Sequence, residues 1–182
     1  TLVEDGYAGD IIGVFDPGIF LIGDTITSGP NIHYPPLPQF PPEHFARVMM
    51  IDHLKRKQLK KGLEQLAQEG SIQLFRPPEG REGESIVGAV GELQFDVVED
   101  RLENEYSVKV RFDRLSFKLA RWVEGEMLPL AELEGKLFGY GALDVHNQPV
   151  VLFKGDWQLE TCAKAFPKTQ FVELKGAVFR DV

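Results

Sequence analysis

Between Phe45 and Phe112 the spacing of apolar residues switches repeatedly between two periods, and this restricts the fold more than any other feature of the chain. A period of two marks a strand with one buried face, whereas recurrence at i, i+4 and i+7 marks a helix. Residues 45–51 read as a short apolar strand. Asp52 is placed to cap a helix reaching residue 69, in which Leu59, Leu63, Leu66 and Ala67 keep the helical period and Gly70 supplies the left-handed stop. Gly62, inside that helix, costs about 1 kcal/mol relative to alanine. Residues 71–75 form a strand with Ile72 and Leu74 on one face, 77–84 a polar loop, and 86–90 the returning strand. Residues 92–106 form a second helix with a stripe of Phe95, Val98 and Leu102, flanked by Leu93 and Val97. In 107–112, Val108, Val110 and Phe112 face inward. The order β-α-β-β-α-β predicts an antiparallel sheet with both helices on one face, the ferredoxin-like α+β arrangement.

On either side the pattern is sparser. Residues 10–15 and 20–27 read as two strands around the turn Asp16-Pro17-Gly18. Two strands alone are marginally stable in water, so this hairpin needs a partner. Pro30, Pro35, Pro36, Pro38, Pro41 and Pro42 then make an extended, stiff connector, where the domain boundary is expected, between 1–36 and 37–182. Past the core, 116–123 reads as a strand, 141–145 and 150–153 as a second hairpin, 157–166 as a short helix stopped by Pro167, and 171–174 as a last strand. No sequence repeat is visible.

Composition narrows the function classes. A net charge of -8 argues against a protein that wraps nucleic acid over its whole surface, while leaving room for a local basic patch. Cys162 is the only cysteine, so no intrachain disulfide is possible and a reducing compartment fits. No apolar run approaches the ~20 residues a bilayer requires. A soluble, cytoplasmic protein is expected.

Residues that carry chemistry are scarce. The Gly135-Lys136 pair is followed by Leu137 and fails the P-loop pattern. No Asn-Lys pair exists to read guanine, and Asp10-Ile11-Ile12-Gly13 sits in the expected strand. The four histidines are scattered without zinc-ligand spacing. Cys162, Trp122 and Trp157 read as packing residues, and Glu92 with Asp96 as helix-start carboxylates complementing the helix dipole. One constellation stands out. Residues 47–61 hold Arg47, Lys55, Arg56, Lys57, Lys60 and Lys61 against Asp52 alone, while 92–106 hold six carboxylates against Arg101 alone. Two readings stay open. Either the neighbouring helices attract each other, or Lys55, Arg56, Lys57, Lys60 and Lys61 contact ribosomal RNA phosphates or an acidic neighbouring domain.

Several stretches resemble translational GTPases. The string Ala8-Gly9-Asp10-Ile11-Ile12-Gly13, followed by Ile22-Gly23-Asp24-Thr25, is similar to the end of their second-domain β-barrel. Residues 88–97, Gly-Ala-Val-Gly-Glu-Leu-Gln-Phe-Asp-Val, resemble a helix start in the third domain of elongation factor G and its relatives. Pro36-Leu37-Pro38-Gln39-Phe40, residues 63–70, Gln73-Leu74-Phe75 and Lys118-Leu119-Ala120-Arg121-Trp122-Val123 narrow this to the bacterial peptide chain release factor three family. The resemblance implies that residues 1–36 end a β-barrel and that a guanine-nucleotide domain, holding GTP or GDP with magnesium, precedes residue 1. This chain itself is then expected to bind no cofactor and hydrolyse no GTP. It further implies partners in ribosomal RNA and protein and in that GTPase domain, an indirect action on the codon-reading release factor, and no role for membrane or DNA. An elongation-factor-like translocation module, with further domains after residue 182, and a free-standing ferredoxin-like domain that binds a metabolite are the competing expectations.

Overall fold

Four strands and two helices line up from His44 as the two apolar periods require. The computed structural model describes residues 5–17, 19–20, 23–30, 32, 34, 40–80, 83–133 and 138–173. The elements are β1 (His44–Met50), α1 (Arg56–Gln68), β2 (Gln73–Phe75), β3 (Ile86–Ala89), α2 (Leu93–Tyr106) and β4 (Val110–Leu115). They form one antiparallel sheet in the order β2-β3-β1-β4, the expected ferredoxin-like arrangement. Then follow β5 (Leu119–Gly125), a 3-10 turn (Leu130–Glu132), β6 (Tyr140–Leu143), β7 (Pro149–Phe153), α3 (Asp156–Ala165) and β8 (Thr169–Val172). Their sheet runs β6-β7-β5-β8, all antiparallel. Counted from its own first strand, this is the same order as the first sheet. The second half thus repeats the first in strand order, and among the described residues a 3-10 turn, with no α-helix, lies between its first two strands.

Strand alternation stacks the two halves in four layers. From the first sheet, Ala46, Val48, Leu74, Val87 and Ala89 point at α1 and α2, where they meet Leu59, Leu63, Leu66, Phe95, Val98 and Leu102. The intervening positions Phe45, Phe75 and Ile86 point the other way and pack on Ala120, Trp122, Ala142, Val150 and Leu152 of the second sheet. The far face of that sheet presents Val123, Val151 and Phe153 to Leu128, Leu130, Leu133 and Cys162. Burial pushes the Cys162 thiol up to about 11, as suits a residue that packs and does not react. Both sheets are therefore apolar on both faces, so the two halves share one continuous interior.

A polar joint closes one side of the seam. Arg76, just past β2, exchanges backbone hydrogen bonds with Leu143 at 2.7 and 2.8 Å, tying the edges of the two sheets. Its Nη2 donates to Asn147 Oδ1 at 2.9 Å and to the carbonyl of Asp144 at 3.1 Å. The buried Asp144 carboxylate accepts from Trp122 Nε1 at 2.9 Å and from the backbone N–H groups of His146 and Gln148 at 2.8 Å. It thus shapes the β6–β7 turn and satisfies the buried indole together.

Departures from expectation have physical causes. The strands expected at 10–15 and 20–27 do not form among the described residues, although Asp16 Oδ1 does accept from the N–H groups of Ile19 and Phe20 in a turn. Ile11, Val14, Phe15, Ile19 and Ile26 stay exposed, because none of the described residues offers them a third strand. Trp157 is also exposed and not part of the core, as are Leu93 and Val97 on α2. The last strand ends at Val172, and Leu174 lies outside the described residues.

Candidate interaction surface

The five basic residues singled out from sequence begin where β1 ends. Asp52 Oδ1 accepts from the N–H of Leu54 at 3.0 Å and starts a 3-10 turn (His53–Lys55) that runs into α1. Leu59, Gly62, Leu63 and Leu66 face the core. At 100° per residue, Lys57 and Lys61 then fall on the opposite, solvent side, with Arg56 and Lys60 on its flank, and all four are exposed. Lys60 lies 4.0 Å from Glu64, a surface pair of little energetic weight. Arg56, Lys57 and Lys61 form no ion pair among the described residues.

Lys55 is different. It is half-buried, and its Nζ donates to the carbonyl of Ser107 at 2.6 Å. Ser107 ends α2 in the left-handed conformation, φ 56°. A cation on the last carbonyls of a helix opposes the negative end of its dipole, so Lys55 secures α2 to α1. The structure therefore brings four of the five residues together on open surface, while the fifth also holds the end of α2.

The basic and acidic clusters do not pair across the two helices, which run antiparallel. Among the described residues the helix-to-helix ion pair has the opposite sense: Arg101, the lone cation of α2, reaches Glu69 at 2.6 Å and holds Glu105 through Nε at 2.6 Å and Nη2 at 2.9 Å. These bonds, to Glu105 first and then Glu69, raise the Arg101 pKa, and the same Arg101 bond holds Glu105 below its usual range. Glu103 pairs with Lys109 at 2.9 Å and raises the pKa of that lysine. Asp100 accepts from Asn104, and Glu92 sits 3.5 Å from His44. Asp100, Glu103 and Glu105 of α2 are thus engaged locally, and none of them reaches the exposed cations of α1.

Sequence reasoning missed two residues at the tip of this surface. Leu54 is 92% exposed and Ile51 64%, although both have apolar side chains beside a buried strand. The available signal was spacing, since Leu54 precedes Lys57 by three and Lys61 by seven, on the face opposite Leu59 and Leu63. The N–H of Ile51 donates to the carbonyl of Lys109 at 3.3 Å, so the tip also adjoins the start of β4.

Comparison with known proteins gives one answer. Residues 34–163 match the family described as class II release factor RF3, C-terminal domain. The chain is 45% identical over 179 residues to peptide chain release factor 3 of Symbiobacterium thermophilum, covering 98% of this chain and 32% of that protein. Identity is 44% to the Synechocystis sp. protein of the same name, covering 88% and 29% respectively, and 40% to that of Gloeobacter violaceus, covering 94% and 33%. The chain spans about a third of the length of these relatives. With a four-layer α+β fold built on the predicted ferredoxin-like core, and this match over most of its length, the chain belongs to the class II release factor RF3 family, in the region of its C-terminal domain.

Proposed function

We propose that this chain is the ribosome-docking and coupling module of a termination GTPase that promotes departure of the codon-reading release factor after peptide release, in the cytoplasm. The observation that carries this reading is the family match over residues 34–163, on a fold that presents Arg56, Lys57, Lys60 and Lys61 to solvent. Peptide chain release factor 3 is the name of each relative cited, which favours termination over translocation. Residues 1–36 are read as the end of a preceding β-barrel domain, and 37–182 as the docking domain. In the whole protein, GTP or GDP with magnesium belongs to a domain ahead of Thr1. This chain lacks the P-loop and the Asn-Lys-x-Asp motif, so no step of nucleotide chemistry falls to its residues. Its part is mechanical: a stiff two-sheet body carries nucleotide-dependent motion of its neighbours to the ribosome.

The cationic ridge supplies the contact with ribosomal RNA, through phosphate charge and without base reading. Changing Lys57, Lys60 and Lys61 together to alanine in the full-length factor should weaken ribosome binding. It should also flatten the dependence of log affinity on log salt by about two units, since each phosphate contact on RNA carries a slope of roughly 0.7–0.9. An affinity and slope equal to wild type would remove α1 from the interface.

A further inference from the structure

We infer that the RNA-facing surface is a mixed ridge, the apolar tip Ile51 and Leu54 continuing into Lys57 and Lys61, which fits the ribose-phosphate backbone of a folded RNA, and that Lys55 is no part of it. This rests on the docking function proposed above and specifies its contact residues.

Three observations lead here. First, Lys57 and Lys61 fall at i and i+4 on the solvent side of α1, and the exposed Leu54 stands in the 3-10 turn that leads into it. Second, Lys57 and Lys61 lack ion pairs among the described residues, whereas Lys109 and Arg111 nearby are held by Glu103 and Asp113. Unpaired cations are what an RNA backbone can take up without first breaking protein bonds. Third, the apolar side chains stand just ahead of the same helix, and Leu54 is 92% exposed where a leucine gains nothing in a free domain. Folded RNA offers matching chemistry in that order, since its phosphates attract ammonium groups while riboses and unstacked bases present apolar faces beside them. An acidic protein would satisfy the lysines as well, but it lacks the condensed counterions of a phosphate backbone, so only RNA gives the full change in salt slope.

The test uses the full-length factor and ribosomes, with affinity followed across a salt series. The double variant Lys57→Ala/Lys61→Ala should lower the salt slope by about 1.4–1.8. Leu54→Ser should weaken binding roughly 5-fold at every salt concentration with the slope unchanged, as expected for loss of ~1 kcal/mol of apolar contact. Leu54 makes no core contact, so its variant should melt with wild type. Lys55→Ala should lower the melting temperature and leave the slope intact. Wild-type affinity for Leu54→Ser would overturn the mixed ridge, even where the triple lysine variant binds weakly and the docking function stands. A weakened Leu54→Ser beside an unchanged slope in the double variant would point to a protein partner and overturn the RNA assignment. A reduced slope for Lys55→Ala would return that residue to the contact surface and overturn the partition.

Discussion

The two halves of this chain solve one topological problem with different materials. Each joins its first strand to a second that lies two places away in the sheet, β1 to β2 and β5 to β6, so the connection must cross a face that needs an apolar cover. In the first half α1 provides that cover with Leu59, Leu63 and Leu66. In the second half the 3-10 turn and its flanks do so with Leu128, Leu130 and Leu133. The topology therefore calls for an apolar plug and does not require a helix. A helix keeps its backbone some distance from the sheet, with side chains between, whereas an irregular segment can lie directly on it. Gly141 records that approach: a Cβ there would stand 2.3 Å from the carbonyl oxygen of Leu130. Gly62, which lies on the covering helix α1 itself, meets side chains of α2 instead of backbone, with Leu102 Cδ2 at 2.7 Å and Tyr106 Cγ at 3.0 Å from its added Cβ.

The largest effect should test whether the halves are energetically one body. Phe153→Ala empties the core behind the second sheet, where the Phe153 ring meets Phe171 edge-on at 5.6 Å, and should cost about 3–5 kcal/mol. Urea unfolding followed by Trp122 fluorescence and by helix signal should stay coincident. Separate transitions would show that the seam does not couple the halves. Next, Gly141→Ala should lose about 3 kcal/mol, at the high end of overpacking, because the obstacle is backbone. A loss under ~1 kcal/mol would mean that the segment over β6 can lift freely. Asp144→Ala should follow at about 2 kcal/mol: the buried Trp122 N–H loses its acceptor, whereas water can reach the N–H groups of His146 and Gln148. Gly62→Ala should cost less, about 1–1.5 kcal/mol, since better helix propensity partly offsets the shift required of the buried Leu102 and the Tyr106 ring. If it proves as costly as Gly141→Ala, the proposed contrast between helix and irregular cover fails.

The smallest effect concerns Arg101. Glu105 has a lowered pKa, so its contribution is present above the unfolded-state value and disappears as pH falls through the folded one. Replacing Arg101 with methionine should accordingly narrow the stability difference from wild type as acid is added, measured by melting temperature between neutral pH and pH 3. A difference that stays constant would assign the effect of Arg101 to packing.

The first half was legible because each of its elements carries its own period. Leu59, Leu63 and Leu66, or Val108 and Val110, announce helix and strand without outside help, and Gly70 stops α1 at φ 74° as expected. The repeat in the second half was not legible. Its plug residues Leu128, Leu130 and Leu133 give a single i, i+3 pair after Pro129, too little to mark an element, so the shared strand order appears only once hydrogen-bonded neighbours are known. Trp157 misled for a related reason: on a ten-residue helix it stands beside Cys162 and Leu159, which pack inward, and one turn of pattern does not decide which side faces the sheet. For the proposed interaction surface, charge along the chain singled out five basic residues as one group and did not separate Lys55, whose partner Ser107 is 52 residues away.

The junction at the head of β1 governs what the proline-rich segment can do. Pro42 is buried against β3 at Gly88, where an added Cβ would come within 2.8 Å of Pro42 Cβ and 2.9 Å of Phe75, while Gln73 Nε2 donates to the carbonyl of Phe40 at 3.2 Å. The chain thus enters the body through a clamped socket and not a slack tether. In the proposed coupling role, a movement entering at Phe40 would therefore act first on β2 and β3, next to Phe75 and the seam.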